Sequence, residues 1–197
     1  NKFSGMRETK EFLANIAKDS LSQPKKTANV RGIVFAGPPG GGKTFLAKYL
    51  SSEIDCKLIV ASISELVQAH LGESEKAISR FVTEAIHQQP SILFLDELDS
   101  IFRKSRENNV VMRKITGQLL YEFDRMSRLD NVRVLILAAT NFVDCLDERL
   151  LRAGRFELVI NFENPNREDR EAILKSILGA EQVGPYLEKL LSQTEEM

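Results

Sequence analysis

Gly37-Pro-Pro-Gly-Gly-Gly42-Lys43-Thr44 follows an apolar run over residues 30–37 and precedes a stretch in which Phe45, Leu46, Tyr49 and Leu50 share one helical face. Its spacing is G-x-x-x-x-G-K-[ST], and it sits between a predicted strand and a predicted helix, the context this pattern needs to bind phosphate. Glycines let the backbone bend so that successive N–H groups point inward at phosphate oxygens. The helix that follows adds a partial positive end of about half a charge. Lys43 supplies a point charge for the terminal phosphates, and Thr44 a hydroxyl ligand for Mg²⁺. The plainer reading is a glycine-rich turn. With glycine near 7% of residues, a chance match in a chain this long is on the order of one in a hundred.

Outward from this loop, four more short apolar runs lie at residues 56–62, 91–97, 133–140 and 158–163. None alternates cleanly, as expected for strands buried on both faces. Helical patterns lie between them. Ala77, Ile78, Phe81, Val82, Ala85 and Ile86 share one face, as do Ile115, Leu119, Leu120 and Phe123. Ser62-Ile-Ser-Glu65 has capping-box form and predicts a further short helix. Strands alternating with helices predict an α/β fold with a five-stranded parallel sheet flanked by helices. After Pro165 the pattern changes. Asn166 can cap a helix over 167–178, and a second follows Pro185 with no strand between. The chain therefore divides into a large α/β part over residues 1–165 and a helical part over 166–197. No internal repeat or low-complexity segment interrupts it.

Ile92-Leu-Phe-Leu-Asp96-Glu97-Leu-Asp99 delivers carboxylates at the C-terminal end of a buried strand, where open α/β sheets place their ligands. Acidic pairs after strands are common on surfaces. Downstream of a phosphate loop, the chemical reading prevails: Asp96 holds Mg²⁺ through water and Glu97 polarises an attacking water.

The totals narrow the partners. Lys plus Arg, 27, nearly cancels Asp plus Glu, 28, so bulk charge makes no case for a nucleic acid or an anionic membrane. No apolar run approaches the roughly 18 residues of a membrane span, and no signal peptide opens the chain. Cys56 and Cys145 lie in apolar sequence surroundings and read as reduced core residues of an intracellular, cytoplasmic protein, without metal-binding spacing. A chain opening on Asn1 reads as an excerpt.

With Ala138-Ala139-Thr140-Asn141 and Leu150-Leu151-Arg152-Ala-Gly154-Arg155-Phe156, the two motifs resemble those of the AAA ATPases, in the clade of valosin-containing protein, katanin and spastin. The likeness runs from Phe3-Ser-Gly-Met-Arg-Glu-Thr-Lys to the last helix, without resolving a subfamily. It implies a P-loop NTPase fold followed by a truncated helical lid, ATP and Mg²⁺ as cofactors, and a homo- or hetero-hexameric ring acting on a protein substrate. Ser4 and Gly5, from a segment that passes beside the adenine in the family, join Pro39, Gly40, Gly41, Gly42, Lys43, Thr44 and Phe45 as nucleotide-binding residues. Thr44 and Asp96 serve the metal. Glu97 and Asn141, the sensor 1 position, act in hydrolysis, and Arg152 and Arg155 match the arginine fingers that reach a neighbouring subunit's site. Without the resemblance, these arginines read as two solvated charges on a helix end.

Three departures qualify what the family implies. Ala69-His70-Leu71-Gly72-Glu73-Ser74 falls at the central-pore loop, where members that thread polypeptide usually place an aromatic residue. His70 is therefore expected to weaken gripping, or to be an exposed loop histidine. Gly41 replaces the usual polar residue or cysteine and should loosen the loop without removing a ligand. Beyond Met197 the family's lid continues into the sensor 2 region, so weak nucleotide binding is expected of this chain alone and no sensor 2 residue is assigned. Arg103, Lys104 and Arg106 read equally as a solvated turn or a substrate contact. Lys25-Lys26 marks an exposed connection, and His87 a helix-end or surface residue.

An energy-transducing ATPase is the leading reading, and the alternative is a nucleotide-gated assembly module with little turnover of its own. A small-molecule kinase or GTPase is weaker, because the chain lacks an acceptor-binding insertion and an Asn-Lys-x-Asp motif.

Overall fold

The computed structural model describes residues 7–22, 30–68, 73–103, 110–129 and 131–163, together with Arg167, Arg170, Glu171, Leu191 and Ser192, which are helical. The five apolar runs are its strands: β1 (Gly32–Ala36), β2 (Lys57–Ser62), β3 (Ser91–Asp96), β4 (Val134–Thr140) and β5 (Leu158–Asn161). All pair in parallel, in the order β2-β3-β4-β1-β5. The helices are α1 (Arg7–Ser22), α2 (Lys43–Ile54), α3 (Ile63–Gln68), α4 (Glu73–His87), α5 (Ser100–Arg103) and α6 (Val110–Arg128).

The central strands lack alternation because each face meets its own helices. On one face Ile33 and Phe35 of β1, Ile92 and Phe94 of β3, and Leu135, Leu137 and Ala139 of β4 pack with Leu13, Ala17 and Leu21 of α1 and Leu46 and Leu50 of α2. On the other, Val34, Leu93, Leu95, Ile136 and Ala138 pack with Ile78 and Val82 of α4 and Ile115, Leu119 and Phe123 of α6. Fully burying one such side chain stabilises the fold by about 1.5–3 kcal/mol.

Two readings need amendment. Helix α1 is an element beyond the predicted ones, marked by a helical stripe of Leu13, Ala14, Ala17 and Leu21, all buried. Phe45 does not share the buried face of Leu46 and Leu50; it is 38% exposed and borders the cleft described below. The predicted short helix is α3, but the Ser62 hydroxyl hydrogen-bonds to that of Ser64 at 3.0 Å. The proposed boundary at 165/166, the two predicted lid helices as wholes, and Lys25-Lys26 lie outside the described residues.

Candidate nucleotide site

The loop between β1 and α2 is built by close approach. Gly37 donates its N–H to the Thr140 carbonyl at 3.1 Å, stitching the start of the loop to the end of β4. Its φ is 149°, and a Cβ there would stand 2.1 Å from the Phe162 carbonyl oxygen, so only glycine fits as the chain passes after β5. Gly40 and Gly42 also have left-handed φ, 80° and 83°, and Gly42 caps the N-terminus of α2. Gly41 does not require such a conformation. Its N–H lies 3.4 Å from the Pro38 carbonyl, and a Cβ would stand 3.3 Å from that oxygen.

Lys43, the first residue of α2, is 9% exposed and turns its ammonium back into the loop. It donates to the carbonyls of Gly37 at 2.7 Å and Pro38 at 2.8 Å, and to Asn141 Oδ1 at 2.9 Å, using all three of its hydrogens. Burial lowers the pKa of this ammonium, and the charges of Asp96 and Asp99 work in the opposite sense. One residue on, Thr44 Oγ1 donates to Asp96 Oδ2 at 3.1 Å, joining the start of α2 to the end of β3. The other oxygen of Asp96 accepts the Glu97 N–H at 2.9 Å. Glu97 has a φ of 55°, which bends the chain out of the strand and leaves the residue exposed at the rim.

After that bend, Leu98 N–H bonds to the Ala139 carbonyl at 2.8 Å, and Asp99 Oδ1 accepts from Asn141 N–H at 3.1 Å and from Thr140 Oγ1 at 3.3 Å. Pro39–Phe45, Asp96, Glu97, Asp99 and Ala139–Asn141 line one cleft of about 370 Å³, at the C-terminal ends of the strands. That size suits a small ligand, and the position is where such sheets bind theirs. The oxygens of Thr44 and Asp96 are hard donors suited to Mg²⁺. Among the described residues no group of three or more His, Cys, Asp or Glu forms a metal site, so a cation held here would complete its shell with waters and phosphate oxygens.

Arg152 and Arg155 do not line this cleft. They stand in a succession of turns before β5, rather than on a helix end, where the N–H groups of Leu150, Leu151 and Arg155 bond to the carbonyls of Asp147, Glu148 and Arg152. Arg152 is exposed. Arg155 is half-buried; Nη2 donates to Asp124 Oδ1 at 3.0 Å and Nη1 to the Arg149 carbonyl at 2.5 Å. Glu157 secures the loop from below. Its carboxylate accepts the N–H of Gly154 and that of Arg31, each at 2.8 Å, while its own N–H donates to the Gly32 carbonyl at 3.0 Å. Phe156 is buried edge-on against Phe123, with ring centroids 5.0 Å apart.

The structure thus brings together Pro39 to Phe45, Asp96, Glu97 and Asn141, and sets the two arginines apart from them. Ser4, Gly5, His70, Leu71, Lys104, Arg106 and the side chain of Arg103 lie outside the described residues. His87 is exposed in the last turn of α4. Three residues that brace the cleft or the arginine loop received no role from the sequence: Asp99 in the cleft, and Asp124 and Glu157 at the loop. Only Asp99 carried a local signal, its place two residues after Glu97. The two cysteines are free, but they are not both core residues as expected. Cys145 is exposed in the turn Val143–Cys145, because the chain has already left the sheet at Asn141.

Residues 33–164 match the family model described as ATPase family associated with various cellular activities (AAA). Among curated proteins, the chain is 39% identical to the ATP-dependent zinc metalloprotease FtsH of Mycoplasma mobile, over 87% of this chain and 25% of that protein. It is 36% identical to the 26S proteasome regulatory subunit 8 homolog B of Arabidopsis thaliana, over 86% of this chain and 42% of the relative. Spastin of Sus scrofa is 38% identical, over 84% and 27% respectively. The chain spans less than half the length of each of these relatives.

Proposed function

The chain belongs to the AAA family of ATPases, and from that premise we propose that it binds Mg·ATP in the cleft beside β1, hydrolyses it, and works as one subunit of a ring that remodels or disassembles a protein partner. The observation that carries this reading is the convergence of Lys43, Thr44, Asp96, Glu97 and Asn141, from three separate strand ends, on one cleft. The loop N–H groups and Lys43 would hold the β- and γ-phosphates, with Gly40, Gly41 and Gly42 allowing close approach and Pro39 and Phe45 at the borders. By the family resemblance we assign Ser4 and Gly5, which lie outside the described residues, to binding the adenine.

Thr44 and Asp96 would hold Mg²⁺, which when bound neutralises charge across the phosphate oxygens. Glu97, exposed at the rim, polarises the attacking water and receives its proton; Asn141 orients that water. Charge on the transferred phosphoryl group is met by Lys43 from the same chain and by Arg152 and Arg155 of a neighbouring one. That neither lines the cleft of its own chain supports this assignment in trans. A hexamer, homo- or hetero-, is the assembly we favour. The names of two relatives, a metalloprotease and a proteasome subunit, support a protein as the substrate. Two free cysteines accord with a reducing, intracellular setting. Among the described residues no helix is long and apolar enough to cross a membrane.

Glu97→Gln tests the reading: ATP should remain bound while hydrolysis falls to background. Full turnover by this variant would exclude Glu97 as the water-activating group. Ring formation with ATP but negligible hydrolysis by the parent chain would favour the nucleotide-gated assembly module.

A further inference from the structure

Asp99 is 3% exposed, and a buried carboxylate is costly unless it is compensated. Its chain neighbours Leu98 and Ile101 are fully buried apolar residues, and the charge of the Lys43 ammonium acts on it from across the cleft. One carboxylate oxygen is aimed at the next strand. Asp99 Oδ1 accepts the backbone N–H of Asn141 at 3.1 Å and the Thr140 hydroxyl at 3.3 Å, and Thr140 Oγ1 in turn accepts the Phe142 N–H at 3.1 Å.

The pairing of β3 with β4 last matches Leu95 with Ala138, and the left-handed bend at Glu97 then carries the chain out of register. Two contacts recapture it: Leu98 N–H on the Ala139 carbonyl at 2.8 Å, and Asp99 on Asn141. From the far side of Asn141, Oδ1 accepts the Lys43 ammonium at 2.9 Å. Hydrogen bonds to an ionised acceptor are stronger and more directional than neutral ones, so the carboxylate is suited to fixing a backbone amide at the end of a strand.

We propose that Asp99 is a positioning residue for hydrolysis, a buried anion that locks the backbone of Asn141 to the turn carrying Glu97 so that the two side chains face the phosphate as one rigid unit. The proposal rests on the ATPase reading and adds to it a residue of the cleft lining that acts through Asn141. Its effect belongs in kcat rather than in nucleotide affinity, and it should be transmitted through Asn141.

The test uses Asp99→Asn, Asn141→Ala and the double variant of the whole chain, with steady-state hydrolysis and equilibrium binding of a non-hydrolysable ATP analogue. Asp99→Asn should lower kcat by about tenfold to a hundredfold, with the analogue's Kd within about threefold of the parent. In the Asn141→Ala background the same change should have no further effect. Multiplying losses in the double variant, or an unchanged kcat in Asp99→Asn, would overturn the proposal. Thr140→Val, nearly the same size, guards against a variant that fails to fold: it should lower kcat by a smaller factor, again only when Asn141 is present. Amide exchange at Asn141, followed by NMR, reads the contact without turnover and should accelerate at least tenfold in Asp99→Asn. A parent chain inactive at every concentration would defeat the ATPase reading. An exchange rate unchanged by Asp99→Asn would defeat the positioning role on its own.

Discussion

Arg155 donates to both carboxylate oxygens of Asp124, with Nη2 3.0 Å from Oδ1 and 3.3 Å from Oδ2, so the guanidinium is braced by the chain that carries it. The Asp124 side chain is 50% exposed, and a pair so open to water contributes at most about 1 kcal/mol to stability. The pair instead fixes where the arginine points.

Arg155→Ala should therefore leave the fold and ATP binding intact while lowering hydrolysis at high protein concentration by roughly 10³. The parent's rate per subunit should rise with concentration toward a plateau, and the variant's should stay flat. Mixing Arg155→Ala with Lys43→Ala, each inactive alone, should restore part of the activity, because one supplies an intact loop and the other an intact arginine. A mixture no more active than its parts would exclude the trans role.

Asp96 faces Thr44 Oγ1 at 3.1 Å, so their oxygens share one corner of the cleft. Chelating divalent cations with EDTA should abolish hydrolysis, and added Mg²⁺ should restore it. Asp96→Asn keeps the size but removes the charge, and should raise the half-saturating Mg²⁺ concentration about tenfold to a hundredfold. An unshifted Mg²⁺ titration would remove Asp96 from the metal's neighbourhood.

Two glycines should respond oppositely to alanine. A Cβ on Gly32 would stand 2.4 Å from the Arg155 carbonyl oxygen and 2.8 Å from the Phe156 ring, whereas one on Gly117 meets nothing within 4 Å. Gly32→Ala is expected to cost about 1–3 kcal/mol, lowering Tm by roughly 2–12 °C in a chain of this size. Gly117→Ala, inside α6, should add about 0.5–1 kcal/mol and raise Tm by roughly 1–4 °C. Thermal unfolding followed by circular dichroism measures both, and a Gly32→Ala variant as stable as the parent would contradict the close approach.

The cysteines should separate by reactivity. Burial, reinforced by the charge of Asp55, pushes the Cys56 thiol up to about 11. At pH 8 only about one part in a thousand is then thiolate, the reactive form. Iodoacetamide should alkylate the exposed Cys145 first and reach Cys56 quickly only in denaturant. Equal rates on the folded chain, read by peptide mass mapping, would refute the difference.

Much of this was legible in the chain, because it is local. Apolar runs of strand length, helical faces such as Ile78, Val82 and Ala85, and the spacing from Gly37 to Thr44 each depend on residues within a few positions of one another. Composition around Cys145 misled for the complementary reason: apolar neighbours in sequence do not bury a side chain that follows the end of a strand. Helix α1 carries no motif, and only its apolar stripe from Leu13 to Leu21 marks it in the sequence.

By itself, then, the sequence determined the set of strands and helices, the phosphate loop and the acidic pair, since steric preference, periodicity and short spacing specify them. Only the tertiary structure decided which ends meet. The order β2-β3-β4-β1-β5 puts β4 between β1 and β3, and so carries Asn141 to Lys43 across 98 positions and to Asp99 across 42. The same folding seats Arg155 on Asp124 and closes its backbone over Gly32. A hydrogen bond depends on separation in space, and in a parallel sheet that separation is set by strand order and register, which no local pattern encodes.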